Sequence, residues 1–545
     1  MYENIKKKIL VTCALPYANG PIHIGHMLEH IQADIWVRYK KLIGYNNIWF
    51  ICADDSHGTA IMLNAKELNI SPNVLISDIF YDHLGDFSAF NISYDYFSST
   101  HHIENMYFLH KVYYQLKLKK LIKVKSILQL YDTKENIFLP DRFVRGTCPN
   151  CFSKNQYGDN CSSCGAIYQA EDLINPISSI SYTIPVMRSS AHIFLDLKKL
   201  QTVLFQWIQS GVMYDQIVNH MKTWFKKDLK NWNISRDLPY FGFQVPDMLN
   251  KYFYVWLDAT IAYISTFKQF CRQNNSLNFH EFWKEDSKTE LYHFIGKDII
   301  YFHALFWPAI LEGMNFRKPT KIFVHGHVTL KGIKFSKSKN NSITIKNWLK
   351  YFDSDSLRYY YASKLSANIE DIEFDIQDFV YKINSDIVNK IVNLAARSAS
   401  FLNKYFDSVL SKEIENHDLY NHFVSLNYQI NNFFHNGEFH LVIKHVIQLA
   451  DLANQYINDK KPWNIVIKKG NRDLQNICSM GINLFRIIMI YLKPIIPDIS
   501  KKSELFLLNE LSWNNLHIPL INHRIAIFKP LYTRINIIDI NDLMI

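Results

Sequence analysis

The tetrapeptide His23-Ile24-Gly25-His26 follows a short apolar strand, Ile9-Leu10-Val11, and opens a helical pattern. Two imidazoles can donate hydrogen bonds to phosphate or ribose oxygens. Gly25 has no Cβ, so a purine ring can pack flat on its backbone. A helix N-terminus adds unpaired N–H groups and a positive dipole end, which together favour anions. About 300 residues downstream, Lys334-Phe335-Ser336-Lys337-Ser338 places two ammonium groups and two hydroxyls in one loop. Such a loop suits a polyphosphate on which charge develops during reaction. Each half has an ordinary alternative: two surface histidines at a helix start, and a solvated basic loop. In this order, and together, they read as the two halves of an ATP site.

Four cysteines form a second constellation. Cys148-x-x-Cys151 and Cys161-x-x-Cys164 are nine residues apart, with Pro149, Gly158 and Gly165 supplying turns. Thiolates at this spacing can close a tetrahedral site, for which Zn²⁺ is the best match. A redox role fits less well, because one chain rarely needs two adjacent pairs in a reducing compartment. With sulfur at all four positions no site is open to substrate, so one structural zinc stapling a small knuckle is expected. Cys13, Cys52, Cys271 and Cys478 are scattered in apolar segments and read as buried small hydrophobes.

The elements that position these groups can be read locally. Pro16, Asn19, Gly20 and Pro21 break the first strand into a loop. Leu28, Ile31, Ile35, Tyr39 and Leu42 then recur at helical spacing, and Gly44 supplies the stop. Strand, loop and helix open a nucleotide-binding α/β domain, whose ligands lie at the carboxyl ends of parallel strands. Ile322-Phe323-Val324 makes a final apolar strand before His325-Gly326-His327, a turn at Gly332 and the lysine loop. Towards the C-terminus, Val388, Ile391, Ala395, Ser398 and Leu402 mark one helical face. Leu441 to Ile457 and Leu474 to Leu492, ending at Pro494, predict further helices.

The 545 residues exceed one compact domain and suggest three or four. Nearly half are hydrophobic (48%), enough to bury sizeable cores. A net charge of +10 and a pI near 8.9 fit a polyanionic partner. The N-terminus carries no secretory signal, and the apolar run from Phe485 to Leu492 is too short to span a bilayer. No membrane association and a cytoplasmic location are expected.

Longer stretches carry a resemblance. Val11-Thr12-Cys13-Ala14-Leu15-Pro16-Tyr17-Ala18-Asn19-Gly20, Phe50-Ile51-Cys52-Ala53-Asp54-Asp55, Tyr252-Phe253-Tyr254-Val255-Trp256-Leu257-Asp258-Ala259 and His293-Phe294-Ile295-Gly296-Lys297-Asp298 join the two ATP motifs. With them the chain resembles the class I aminoacyl-tRNA synthetases, and among these the methionine-specific family. Two departures stand out: the family's proline after Trp-Leu-Asp-Ala is Thr260, and the usual methionine of the lysine loop is Phe335. The resemblance implies an α/β fold with a split Rossmann-like nucleotide-binding domain and a zinc-knuckle insertion, followed by an all-α C-terminal helical bundle. Residues 1–116 would be the first catalytic half and 117–251 the insertion over the tRNA acceptor end. Residues 252–325 would be the second half, 326–385 the lysine-loop and stem-contact region, and 386–545 an anticodon-binding bundle.

The implied reaction is an ATP-dependent ligation. Methionine attacks the α-phosphate of ATP to give methionyl-adenylate and pyrophosphate, and the acyl group then passes to the 3′ end of tRNA(Met). By similarity, His23, Gly25, His26, Lys334, Ser336, Lys337 and Ser338 would bind ATP. Lys337 would stabilise the developing pyrophosphate with Lys334 in support, and Mg²⁺ would bridge the phosphates. A thioether calls for an aromatic and apolar enclosure with few donors. Leu15, Tyr17, Trp256, Ala259, Tyr263, Ile299 and His303 occupy the family's pocket positions. Asp54 would hold the substrate ammonium and Arg236 would help order the site. Asn393 and Arg397 would read anticodon base edges, and Trp463 would stack on a base. A monomer is expected, because the chain stops at Ile545 without the C-terminal β-barrel of many relatives. A class I enzyme for leucine, isoleucine, valine or cysteine would share the ATP motifs, and a synthetase-like RNA-binding protein without catalysis would share the fold.

Overall fold

The computed structural model describes residues 7–140, 143–158, 161, 163–164, 166, 168, 170–330, 332–334, 342–465, 471–538 and 540–544. Five strands build a fully parallel sheet: β1 (Ile9–Cys13), β2 (Ile48–Asp54), β3 (Tyr96–Ser99), β4 (Glu290–Gly296) and β5 (Lys321–His325). Their spatial order is β5-β4-β1-β2-β3. Read from the other edge this is the 3-2-1-4-5 order of a doubly wound nucleotide-binding sheet. Its ligand crevice opens where the order reverses, between β1 and β4. The β1–β4 register pairs Cys13 with Phe294, so the loops after both strands emerge side by side.

Alternation along β1 explains why the sheet is sealed on both faces. Ile9, Val11 and Cys13 pack into one core with helix α1 (Ile24–Leu42), while Leu10 faces a second core. The short helix α2 (Thr59–Glu67) follows β2, and the second core includes Leu257, Ile261 and Ile264 of helix α3 (Val255–Gln273). A strand buried on both sides reads as a continuous apolar run, which is what Ile9-Leu10-Val11 shows.

Between β3 and β4 the chain leaves this sheet. A long antiparallel pair, Ile122–Asp132 with Val186–Leu195, anchors a four-stranded sheet. A smaller sheet of Val144–Thr147, Gln156–Tyr157 and Ile174–Ser178 carries the cysteine turns. Leu63 of α2 packs against the small core beneath it.

After β5 the chain turns into helices. Ile376–Lys382, a π-helical stretch Ile383–Val392 and Asn393–Tyr405 follow one another without a break. Ile391, Ala395, Ser398 and Leu402 are buried as expected, but Val388 is only half-buried and Ile387 takes its place. The wider π turn shifts the face by one residue, which a fixed period of 3.6 cannot anticipate. Helix α4 (Arg472–Leu492) corrects another expectation. It is long and apolar enough to cross a membrane, yet 89% of its apolar window is buried inside the bundle, as in a core helix. Bundle and parallel sheet share one apolar core, and Arg358 pins them together. Fully buried, it donates to Asp34 Oδ2 of α1 at 2.6 Å and to the carbonyls of Pro494 and Ile495 at 3.1 and 2.9 Å.

Candidate active site and metal centre

Helix α1 starts on a reciprocal cap. His23 Nδ1 accepts from the His26 N–H at 3.2 Å, and His26 Nδ1 accepts from the His23 N–H at 3.4 Å. The rings stack with centroids 3.5 Å apart and 13° between planes. Because both Nδ1 atoms accept, each ring carries its proton on Nε2, the donor needed for a phosphate oxygen. Both motif histidines are thus fixed in tautomer and orientation by the helix they begin, with Gly25 between them.

The described residues on either side of the second motif lie beside the first. Val328–Leu330 and Ile333–Lys334 form a hairpin from which the lysine loop departs. The segment that follows the loop returns against α1. Ile24 N–H donates to Ile343 O at 2.9 Å and Ile345 N–H to Ile22 O at 3.2 Å, with His23 and Thr344 forming a β-bridge. Phe335, Ser336, Lys337 and Ser338 lie outside the described residues, and of Lys334 only the backbone is described.

Eight of the nine residues expected around the amino acid line a single cavity of about 400 Å³: Leu15, Tyr17, Arg236, Trp256, Ala259, Tyr263, Ile299 and His303. Leu15 and Tyr17 come from the loop after β1, and Ile299 from the turn after β4. Trp256, Ala259 and Tyr263 come from the first three turns of α3. The crevice predicted by strand order is therefore where these side chains meet. His303 Nδ1 donates to Ile299 O at 3.1 Å, so its Nε2 accepts from the Tyr263 hydroxyl at 2.8 Å. Burial holds the His303 imidazole down to about 4 and pushes the Tyr263 phenol well above its usual value. This wall is uncharged at neutral pH, as a thioether requires. Trp256, 43% exposed, leans on Phe302 at the mouth. The Arg236 guanidinium lies 3.7 Å over the Tyr254 ring, which fixes its plane.

Asp54 is placed differently. It is sealed from solvent at the end of β2 and bonded through Oδ1 to His83 Nδ1 at 2.7 Å, while its neighbour Asp55 lines the cavity. Burial, and then the charge of Asp258, raise the Asp55 carboxyl well above the ordinary range. Sequence reading passed over Asp55, Tyr240 and the buried contact of His57 with Asp258 beside Asn105. Tyr240 accepts no role by spacing, yet its hydroxyl accepts the first N–H of α3, from Val255, at 2.9 Å. The Thr260 hydroxyl donates to Leu257 O at 2.9 Å and to Trp256 O at 3.2 Å, so the helix itself absorbs that polar group.

The four knuckle sulfurs lie within 4.8 Å of one another, with Cys148–Cys164 at 3.9 Å and Cys151–Cys161 at 3.5 Å. A tetrahedron with Zn–S bonds near 2.3 Å has edges of about 3.8 Å, so the donor set fits such an ion. Each turn also aims two backbone N–H groups at its first sulfur. Asn150 and Cys151 point to Cys148, and Ser163 and Cys164 to Cys161, all at 3.4–3.5 Å. Donors in this number favour thiolate. Cys13, Cys52, Cys271 and Cys478 are buried, as expected.

In the bundle, Asn393 and Arg397 share one helix, four residues apart. Arg397 sits 4.8 Å over the Trp463 ring and donates to Asn458 Oδ1 at 2.7 Å, while Trp463 is 46% exposed. Arg397 and Trp463 thus form an exposed polar and aromatic patch, and Asn393 is exposed one helical turn before Arg397.

A family model described as tRNA synthetases class I (M) matches residues 9–399. The chain belongs to this family. Among curated class I relatives, the methionine–tRNA ligase of Buchnera aphidicola subsp. Acyrthosiphon pisum (strain Tuc7) is 58% identical over 536 residues, 98% of each chain. That of Blochmanniella floridana is 54% identical over 541 residues, 99% of each. The crystal structure of Mycobacterium tuberculosis methionyl-tRNA synthetase bound by methionyl-adenylate is 20% identical and shares the fold. Its TM-score is 0.80, over 97% of this chain and all of that one.

Proposed function

We propose that this class I synthetase is a methionine–tRNA ligase that makes methionyl-adenylate from methionine and ATP and transfers the methionyl group to the 3′ end of tRNA(Met). The observation that carries the reading is the pairing of residues 22–24 with 343–345, which brings the flank of the lysine loop onto the histidine-capped helix. The methionine carboxylate attacks the α-phosphorus and pyrophosphate leaves. This displacement is governed by positioning and by stabilisation of the charge on the leaving group. His23 and His26 hold phosphate oxygens through Nε2–H, and Lys337, with Lys334, neutralises pyrophosphate. Mg²⁺ supplies further neutralisation when bound with ATP. The uncharged wall of Tyr263, His303, Leu15 and Ile299 encloses the thioether, and Trp256 closes the mouth. Asp54, held by His83, supplies negative potential for the ammonium, and Arg236 orders Tyr254 in the cavity wall. Asn393, Arg397 and Trp463 read the anticodon, the aromatic ring by stacking. Zinc occupies the four cysteines as a structural ion. The reading includes a monomeric, cytoplasmic enzyme, and a stable dimer in sedimentation would count against that part.

The test is exchange of labelled pyrophosphate into ATP with each amino acid in turn. Methionine alone should support rapid exchange. Exchange with leucine, isoleucine, valine or cysteine instead, or none at all, would refute the assignment.

A further inference from the structure

The helix Pro72–Ala89 backs onto the end of β2 and the loop before α1. His83 of this helix is sealed from solvent between two functional stretches. Its Nδ1 meets Asp54 Oδ1 at 2.7 Å, and its Nε2 meets the carbonyl of Gly20 at 3.0 Å. A carbonyl and an ionised carboxylate can only accept, so both ring nitrogens donate and the ring is an imidazolium paired with Asp54. Gly20 lies three residues before His23, in the loop that ends on α1.

The same turn of the helix holds more of the frame. Asp86 faces the Ile22 N–H, next to the histidine cap. Asp82 Oδ1 accepts from Lys346 Nζ at 2.9 Å, just past the segment that returns from the lysine loop. Residues three and four apart share a helix face, so Asp82, His83 and Asp86 act as one edge. That edge touches the residue assigned to the ammonium, the loop before the histidine motif and the flank of the lysine loop.

Packing alone does not account for His83. A buried charge is costly, and an apolar side chain of similar volume would fill the space without that cost. Phe87, buried four residues on with its ring centroid 6.4 Å from the imidazole, shows that this face takes apolar groups.

We propose that His83 is a positioning residue for adenylate formation: donating from both nitrogens, it ties the Asp54 carboxylate to the loop that carries the phosphate-binding histidines. The amino-acid and ATP subsites then keep one spacing. The inference rests on the ligase reading above and adds to it the residue that joins its two subsites. In-line attack of the methionine carboxylate on the α-phosphorus needs that spacing, since an error of about 1 Å can slow such a step about 10²-fold.

Two variants of the full-length protein separate the two bonds. His83→Asn leaves an amide donor near the position of Nδ1, towards Asp54, and loses the donor to Gly20. His83→Gln carries its amide to the position of Nε2, towards Gly20, and loses the donor to Asp54. In pyrophosphate exchange, His83→Asn should raise KM for ATP about tenfold with KM for methionine unchanged. His83→Gln should raise KM for methionine about tenfold with KM for ATP unchanged. Inhibition of exchange by 4-(methylthio)butanoate, which is methionine without its amine, should be the same in His83→Gln as in wild type. Unchanged kinetics in both variants would overturn the proposal. So would both KM values rising together in both variants, with or without a lower melting temperature, because His83 would then serve packing only. Weaker inhibition of His83→Gln by the amine-free analogue, in step with its methionine KM, would likewise overturn it by locating the damage in the thioether pocket. Failure of the ligase reading would show separately, as absent exchange in the wild-type protein.

Discussion

The backbone N–H of Ile24 donates to the carbonyl of Ile343 at 2.9 Å, across more than half the chain. This bond joins the first turn of α1 to the strand-like segment just beyond the lysine loop. It makes the position of His23 and the return point of the loop one structural unit.

The two duties of His23, helix cap and phosphate donor, can be separated. His23→Ala removes both and should cost about 1 kcal/mol of stability through the cap, together with a rise in KM for ATP. His23→Asn keeps an N-cap acceptor but lacks the imidazole. It should melt like wild type and still lose tenfold or more in exchange, roughly the value of one lost charge-stabilising contact. Recovery of exchange by asparagine would show that capping alone mattered.

Trp463 separates tRNA recognition from chemistry. With Arg397 at 4.8 Å over one face, its exposed surface can stack on a base, a contact worth about 1–3 kcal/mol. Trp463→Ala should raise KM for tRNA about tenfold or more and leave tRNA-independent exchange intact. Equal losses in both assays would mean that the ring is structural.

Much of this arrangement is legible in the sequence wherever one segment carries the whole signal. Ile9-Leu10-Val11, the apolar spacing from Leu28 to Leu42 and the paired Cys-x-x-Cys turns are local, and the structure has the corresponding strand, helix and sulfur cluster. Leu15, Tyr17, Trp256 and Ala259 are legible because they sit in two recognisable stretches, whereas Arg236, Tyr263, Ile299 and His303 come only with the family resemblance. Partners joined only by tertiary packing are not legible. His83 meets Asp54, and His57 meets Asp258 beside Asn105, at separations no periodicity relates. The burial of Ile387 in place of Val388 was hidden because a π turn has no composition of its own. The helix Leu474–Leu492 is legible, but its apolar length is not, because Asn476, Ser479 and Asn483 interrupt the run. In the fold the Asn483 amide returns to Ser479 O at 3.0 Å, which makes it tolerable in the core.

The knuckle should depend on its metal. Purified protein should contain about one zinc per chain by plasma emission. Cys148→Ser should release that ion and lower the first unfolding transition, while exchange, carried by the parallel sheet, should fall much less than aminoacylation. A metal-free wild-type protein with an unchanged melting curve would remove the ion from the account.

Asp355 makes stability depend on pH. Its carboxyl is buried, which raises it to about 7; Asp498 and Asp353 add to the rise, while the Ile499 N–H and Arg358 oppose it. Because the folded value exceeds the unfolded one, near 3.9, the folded state binds the extra proton. That contribution is complete below about pH 4 and is lost as pH rises through about 7. Asp355→Asn imitates the protonated form and keeps an acceptor for the Ile499 N–H. It should raise the melting temperature at pH 8 and change it little at pH 4; equal shifts at both values would exclude this residue as the titrating group.

The central claim is that the histidine-capped helix and the lysine loop together stabilise the leaving pyrophosphate as the adenylate forms. Methionine-dependent pyrophosphate exchange by Lys337→Ala, set beside methionine affinity measured by calorimetry, tests it most directly. Exchange should fall by about 10²–10³ with the methionine Kd unchanged. Exchange at the wild-type rate, or a loss that merely follows weaker methionine binding, would contradict it.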